Sequence, residues 1–94
     1  MAVIIIQIKL YLPEVHSLKE KRSVLKSLLS KIHQRYNASC AELDYMDLWQ
    51  TSKVGFALIS NDYKVLQSSS EKIKLFMAHE FPGLVIVEED IEFF

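Results

Sequence analysis

Residues 2–12, AVIIIQIKLYL, separate into two sets at period two. Ile4, Ile6, Ile8, Leu10 and Leu12 form a wholly apolar set, which predicts a strand face lying under helices. Val3, Ile5, Gln7, Lys9 and Tyr11 form a mixed set, which predicts a face that meets water or a partner. Pro13 offers no N–H to a ladder and ends the strand. The period then changes. From Ser17 onward, Leu18, Leu25, Leu28, Leu29, Ile32 and Tyr36 recur at helical spacing. Ser17 and Glu20 make a capping box at the start, worth roughly 1 kcal/mol. Asn37, a residue that tolerates the left-handed conformation, marks the end.

Residues 38–44 predict a second strand, with Ala41, Leu43 and Tyr45 on one face and Cys40, Glu42 and Asp44 on the other. Residues 45–50 read as a turn or irregular continuation. Residues 51–60 read as a third strand, with Val54, Phe56 and Leu58 inward and Lys53, Gly55, Ala57 and Ile59 outward. Asn61 or Asp62 caps a second helix that runs to about Glu80 and buries Val65, Leu66, Ile73, Phe76 and Met77. A later start at Ser68 with Glu71 as box partner is the alternative, since Ser68, Ser69 and Ser70 weaken the helix. Pro82-Gly83 stops it, and residues 84–93 give a last strand, acidic at its far end. The order β-α-β-β-α-β is the ferredoxin-like arrangement of the α+β class. It predicts one domain over residues 1–94, a four-stranded antiparallel sheet with both helices on one face.

Composition narrows the class further. The chain is 50% apolar and 24% charged with two Gly and two Pro, which excludes a disordered or low-complexity protein. Eleven Lys and Arg against twelve Asp and Glu give a formal charge of −1, which excludes a strongly basic nucleic-acid coat but not a local basic patch. The single cysteine, Cys40, cannot form an internal disulfide or a zinc cluster. The longest apolar run, Ala2 to Ile6, is far short of the ~20 residues that span a membrane. The start has no cationic leader with a small-residue cleavage site. The expectation is a soluble cytoplasmic protein without a membrane partner.

Three segments then carry a resemblance: Ser17-Leu-Lys-Glu-Lys-Arg22, Glu42-Leu-Asp-Tyr-Met-Asp-Leu-Trp-Gln50 and Val54-Gly-Phe-Ala-Leu-Ile-Ser60. In this order and spacing the chain resembles the YlxP-like family, a domain of unknown function numbered 503, over essentially its whole length. The resemblance implies a small bacterial cytoplasmic protein with a ferredoxin-like fold and supplies no activity. Members are often encoded near translation initiation and ribosome-maturation factors, which implies, by association, a role around the ribosome or RNA.

Three places in the sequence have binding chemistry. On the first helix Lys19, Arg22, Lys26 and His33 fall within about 60° of one another beside the apolar stripe. Residues 17–36 hold six Lys and Arg against one Glu, while residues 88–92 carry four acids and no base. Such a stripe either contacts phosphates or is a solvated face. Lys21 points into the apolar stripe, where its stem covers apolar surface and its ammonium either snorkels out or meets Glu42, Asp44 or Asp47. It is counted here with Lys19, Arg22 and Lys26 in the basic binding face.

The second place is the segment Glu42, Asp44, Asp47, Trp49 and Gln50. Glu42 and Asp44 on one strand face suit a magnesium ion or, more simply, cross-strand pairs with Lys53 or Lys9. Trp49, the only tryptophan, suits a binding anchor or a lid on a small core. The third place is the open sheet face. Val3, Ile5, Tyr11, Gly55, Ala57 and Ile59 suit close approach of a second copy and a twofold dimer. The outward residues Gly55 and Ala57 offer no aromatic ring for base stacking on that face. There is no glycine-rich phosphate loop, His16, His33 and His79 are scattered, and Cys40 has no flanking His. The sequence therefore predicts a binding module rather than an enzyme, with no cofactor or metal. It predicts a homodimer and an RNA or ribonucleoprotein partner for the basic helix face. The alternative is a homodimeric protein-interaction module without nucleic acid.

Overall fold

A computed structural model describes residues 1–94. The elements run β1 (Ala2–Tyr11), α1 (Leu18–Tyr36), β2 (Ser39–Asp44), β3 (Thr51–Ser60), α2 (Tyr63–Glu80) and β4 (Val85–Phe93). The sheet is four-stranded in the order β2-β3-β1-β4, with every neighbouring pair antiparallel. This is the expected ferredoxin-like arrangement.

The period-two reading of β1 holds. Ile4, Ile6, Ile8, Leu10 and Leu12 are all buried and join Val54, Phe56 and Leu58 of β3 beneath the helices. α2 lies over β1 and β3, and α1 lies against β2. An edge-to-face contact ties Tyr36 of α1 to Phe76 of α2, and Phe76 in turn meets Phe81, the C-cap of its own helix.

The caps decide where the helices start. Ser17 Oγ accepts from the Glu20 N–H at 3.1 Å, and the Glu20 carboxylate accepts from the His16 N–H at 3.0 Å. The reciprocal arm of the box therefore reaches one residue further out than the Ser17 N–H that the motif predicts. Asn37 closes α1 at φ 53°, in the left-handed region. Asp62 caps α2 by accepting from the Lys64 N–H at 2.9 Å, so the helix starts at Tyr63 and not at Ser68. Within α2, Val65 is exposed and Ser70 is buried, contrary to the predicted stripe. Ser70 stands at helical spacing on the face of Leu66, Ile73 and Met77, and Val65 falls one step off it.

Register corrects the reading of β2. Cys40 and Glu42 stand opposite Phe56 and Val54, on the helix side. The ladder then slips between Glu42 and Asp44, so that Asp44 stands opposite Lys53 on the open side. Glu42 and Asp44 are therefore on opposite faces. The cause is a bulge, which inserts one residue and breaks the alternation.

Candidate functional site

The sequence segments 17–22 and 42–50 meet in space, and Lys21 joins them. It is 1% exposed, although it is a lysine in the second turn of a helix. Its direction along the apolar stripe carries the ammonium inward under the β2–β3 hairpin. There Nζ donates to the carbonyl of Tyr45 at 2.6 Å and to the carbonyl of Leu48, and it lies 2.9 Å from Glu42 Oε2. Three acceptors meet the three hydrogens of the ammonium. Glu42 Oε2 also accepts from the hydroxyl of Ser52, itself fully buried, at 2.7 Å. Nothing in this socket is left unpaired. Of the partners considered for Lys21, the fold selects Glu42, and the ion pair replaces snorkelling. Lys21 is accordingly withdrawn from the basic binding face on which the sequence placed it.

The socket holds a tight hairpin. Tyr45 has φ 64°, a left-handed conformation that costs a non-glycine residue roughly 1 kcal/mol or more. Both of its polar backbone groups are held. Its N–H donates to Asp44 Oδ1 at 2.7 Å, and its carbonyl accepts from Lys21 and from the Leu48 N–H at 3.0 Å. Gln50 fixes the other end. Its side-chain amide donates to the carbonyls of Pro13 and Val15, and its own carbonyl accepts from the Leu12 N–H at 2.8 Å. Gln50 is thus a staple between the hairpin and the loop before α1. Trp49 stands between the two anchored residues Leu48 and Gln50. It is 43% exposed, with His16 meeting its ring at 6.4 Å in an edge-on contact. Met46, Asp47 and Leu48 are exposed beside it.

The other cations of α1 have a different setting. Lys19, Arg22, Lys26 and His33 are all exposed. The molecule's two ion pairs are Lys21–Glu42 and Lys74–Glu89, so Lys19, Arg22 and Lys26 have no carboxylate partner. Lys31 and Arg35 belong to the flank that faces α2, over the rings of Phe81 and Phe76. The stripe runs along the opposite flank, beside β2. There His33 Nδ1 lies 2.9 Å from the Ala38 carbonyl oxygen, which can only accept from it.

On the open side of the sheet, the ladder pairs Val3 with Ile59 and Ile5 with Ala57, an uncovered apolar group. Further along, Asp44, Lys53, Lys9 and Glu88 form one row across the strands. Lys9 and Lys53 face each other there, flanked by the two acids, and the Lys9 ammonium stands 5.1 Å over the Tyr45 ring. Tyr11 is exposed at the end of this face. Gly55, expected to admit a partner, is buried. A Cβ there would come within 2.6 Å of Leu43 Cδ1, because the Leu43 side chain already lies over it. Cys40 is half-buried on β2, and burial pushes its thiol up, which suits a packed residue and not a nucleophile.

Sequence reasoning marked Lys21 through its direction in the stripe. It missed Ser52, although Ser52 continues the inward series of Val54, Phe56 and Leu58. It also missed the carbonyls of Tyr45 and Leu48 and the stapling role of Gln50, which depend on a long-range fold and have no residue-type signal.

Known structures share this architecture at low identity, which bears on the fold alone. A de novo designed protein, Foldit4, aligns with a TM-score of 0.59 at 11% identity, over 100% of this chain and 97% of that one. A dimeric ferredoxin-like protein from an uncultured marine organism aligns with a TM-score of 0.55 at 12% identity, over 98% of this chain and 92% of that one. The class is therefore a ferredoxin-like α+β domain. A family model described as a protein of unknown function, DUF503, matches residues 3–91. The chain is also 34% identical over 68 residues to the uncharacterized protein YlxP of Bacillus subtilis (strain 168), covering 72% of this chain and 73% of that protein. The chain belongs to the DUF503 family, which includes no stated activity in its description. No helix is long and apolar enough to cross a membrane.

Proposed function

We propose that this protein is a non-enzymatic binding module of the cytoplasm that engages RNA or a ribonucleoprotein through the exposed flank of α1. The observation that carries this reading is that Lys19, Arg22 and Lys26 stand exposed on one helix face without an acidic partner. The fold does not need them there. Lys19 is in the first turn, where a cation opposes the helix dipole. Arg22 and Lys26 are four residues apart, a like-charge spacing that costs an isolated helix about 0.2–0.5 kcal/mol. Cations that weaken their own helix and pair with nothing are suited to phosphates supplied from outside.

The test is fluorescence polarisation with a ribosomal RNA fragment at low salt. Wild-type protein should bind with an affinity that falls as salt rises. The combined change Lys19→Glu, Arg22→Glu and Lys26→Glu should weaken binding at least about tenfold, as expected for lost phosphate contacts. Unchanged binding by that variant ends this reading.

A second reading rests on the uncovered apolar group Val3, Ile5, Ala57 and Ile59 at one end of the open face. It makes the protein a homodimer through that face, and the dimeric ferredoxin-like neighbour supports it by analogy of fold. Sedimentation should then show a concentration-dependent dimer that Ala57→Arg breaks. A monomer at every concentration removes it.

A further inference from the structure

We infer that Trp49 is a base-stacking platform beside the cation track, so that this protein takes single-stranded in preference to duplex nucleic acid. The inference rests on the phosphate-binding reading of α1 and specifies its ligand.

Three observations lead to it. First, the ring is available. Trp49 is 43% exposed, and its contact with His16 is edge-on at 6.4 Å, which leaves part of the ring open to solvent. Second, the ring is held in place from below. Lys21 grips the carbonyl of Leu48 on one side, and Gln50 is bonded to Leu12, Pro13 and Val15 on the other. A platform whose backbone is already ordered loses little further entropy on binding. Third, the hairpin sits at the N-terminal end of α1, through Lys21 and His16, where the track begins with Lys19 and Arg22.

An aromatic platform next to a line of cations is the arrangement that binds single strands. The cations follow the phosphates, and the ring takes an unstacked base of any sequence. In a duplex the bases are stacked on each other and cannot reach such a ring.

Because Trp49 is the only tryptophan, its emission reports on this site alone. The experiment titrates the whole chain at low salt with oligo-adenylate, oligo-deoxyadenylate and the duplex of oligo-adenylate with oligo-uridylate. Both single strands should quench Trp49, and a stronger response to one of them identifies RNA or DNA as the source. The duplex should bind more weakly and leave the emission unchanged. Trp49→Ala should weaken single-strand binding about tenfold, the size of one lost stacking contact, and leave duplex binding as it was. Trp49→Phe keeps a ring in place and should retain most of the single-strand affinity, so a foldable variant is available if the alanine variant loosens the hairpin.

Silent emission on single-strand binding, or a Trp49→Phe variant as weak as one lacking the ring, overturns the inference. If silence at Trp49 accompanies loss of binding in the triple Glu variant, the platform falls and the track stands. If the triple Glu variant binds normally while Trp49 is quenched, the track falls, and the inference built on it falls too. Emission that shifts when the protein alone is concentrated, with no response to oligonucleotide, assigns the patch to a second copy of the chain and also overturns it.

Discussion

Lys21 and its neighbour Arg22 are adjacent cations on one helix with opposite fates. Lys21 is buried and its ammonium has three protein acceptors. Arg22, with Lys19 and Lys26, is exposed and has no carboxylate partner. The difference follows from one step of about 100° around the helix. That step carries Lys21 into the apolar stripe and Arg22 onto the flank. Positive charge on a helix is therefore not one property. Where the fold supplies acceptors, it is consumed in holding a loop; where the fold supplies none, it stands in solvent. Replacing a buried pair by apolar side chains of similar volume is often neutral, whereas removing one member alone is costly.

That contrast is open to direct attack. Lys21→Ala should lower stability by about 3–5 kcal/mol in urea denaturation, because it leaves the Glu42 carboxylate with no cation, only the Ser52 hydroxyl, and takes a hydrogen bond from the carbonyls of Tyr45 and Leu48. The double change Lys21→Met with Glu42→Leu should recover much of the loss. A cost below about 1 kcal/mol for Lys21→Ala would mean that the socket does not hold the hairpin. Gln50→Ala should cost about 1 kcal/mol, as its two side-chain bonds are long. It should also raise amide exchange in residues 45–50 more than in β1, since it releases one end of the hairpin.

Lys26→Ala should go the other way. It relieves a like-charge pair and should stabilise the protein by roughly 0.2–0.5 kcal/mol while weakening RNA binding. A loss of stability would place Lys26 with Lys21 as a structural cation. The smallest effect concerns Cys40. Its thiol is raised by burial, so the folded chain keeps the proton at a pH where the unfolded chain has released it. This contribution is present below the ordinary value of 9.0 and is lost as pH rises from there through the folded value. Cys40→Ala should remove that alkaline loss, and alkylation of the wild-type thiol should be slow until the protein unfolds.

Much of the fold was legible because its signals are local. The alternation in β1, the Ser17–Glu20 pair and Asn37 each act within a few residues. The helix direction that singled out Lys21 is equally local. The misreadings share a different cause. Asp44 changed face because of a bulge at the end of β2, Gly55 disappeared under Leu43, and Val65 gave way to Ser70. Each depends on which strand or helix lies opposite, and spacing along one chain segment carries no such information.

By itself, then, the sequence determined the element order, the apolar side of β1 and the flank on which Lys19, Arg22 and Lys26 collect, because period and capping are properties of neighbouring residues. Only the tertiary structure decided that the Lys21 ammonium finds its acceptors in the β2–β3 hairpin, that Gln50 staples that hairpin and that Trp49 meets His16 just before α1. Those outcomes depend on backbone carbonyls brought from more than twenty residues away, and a carbonyl has no letter in the sequence.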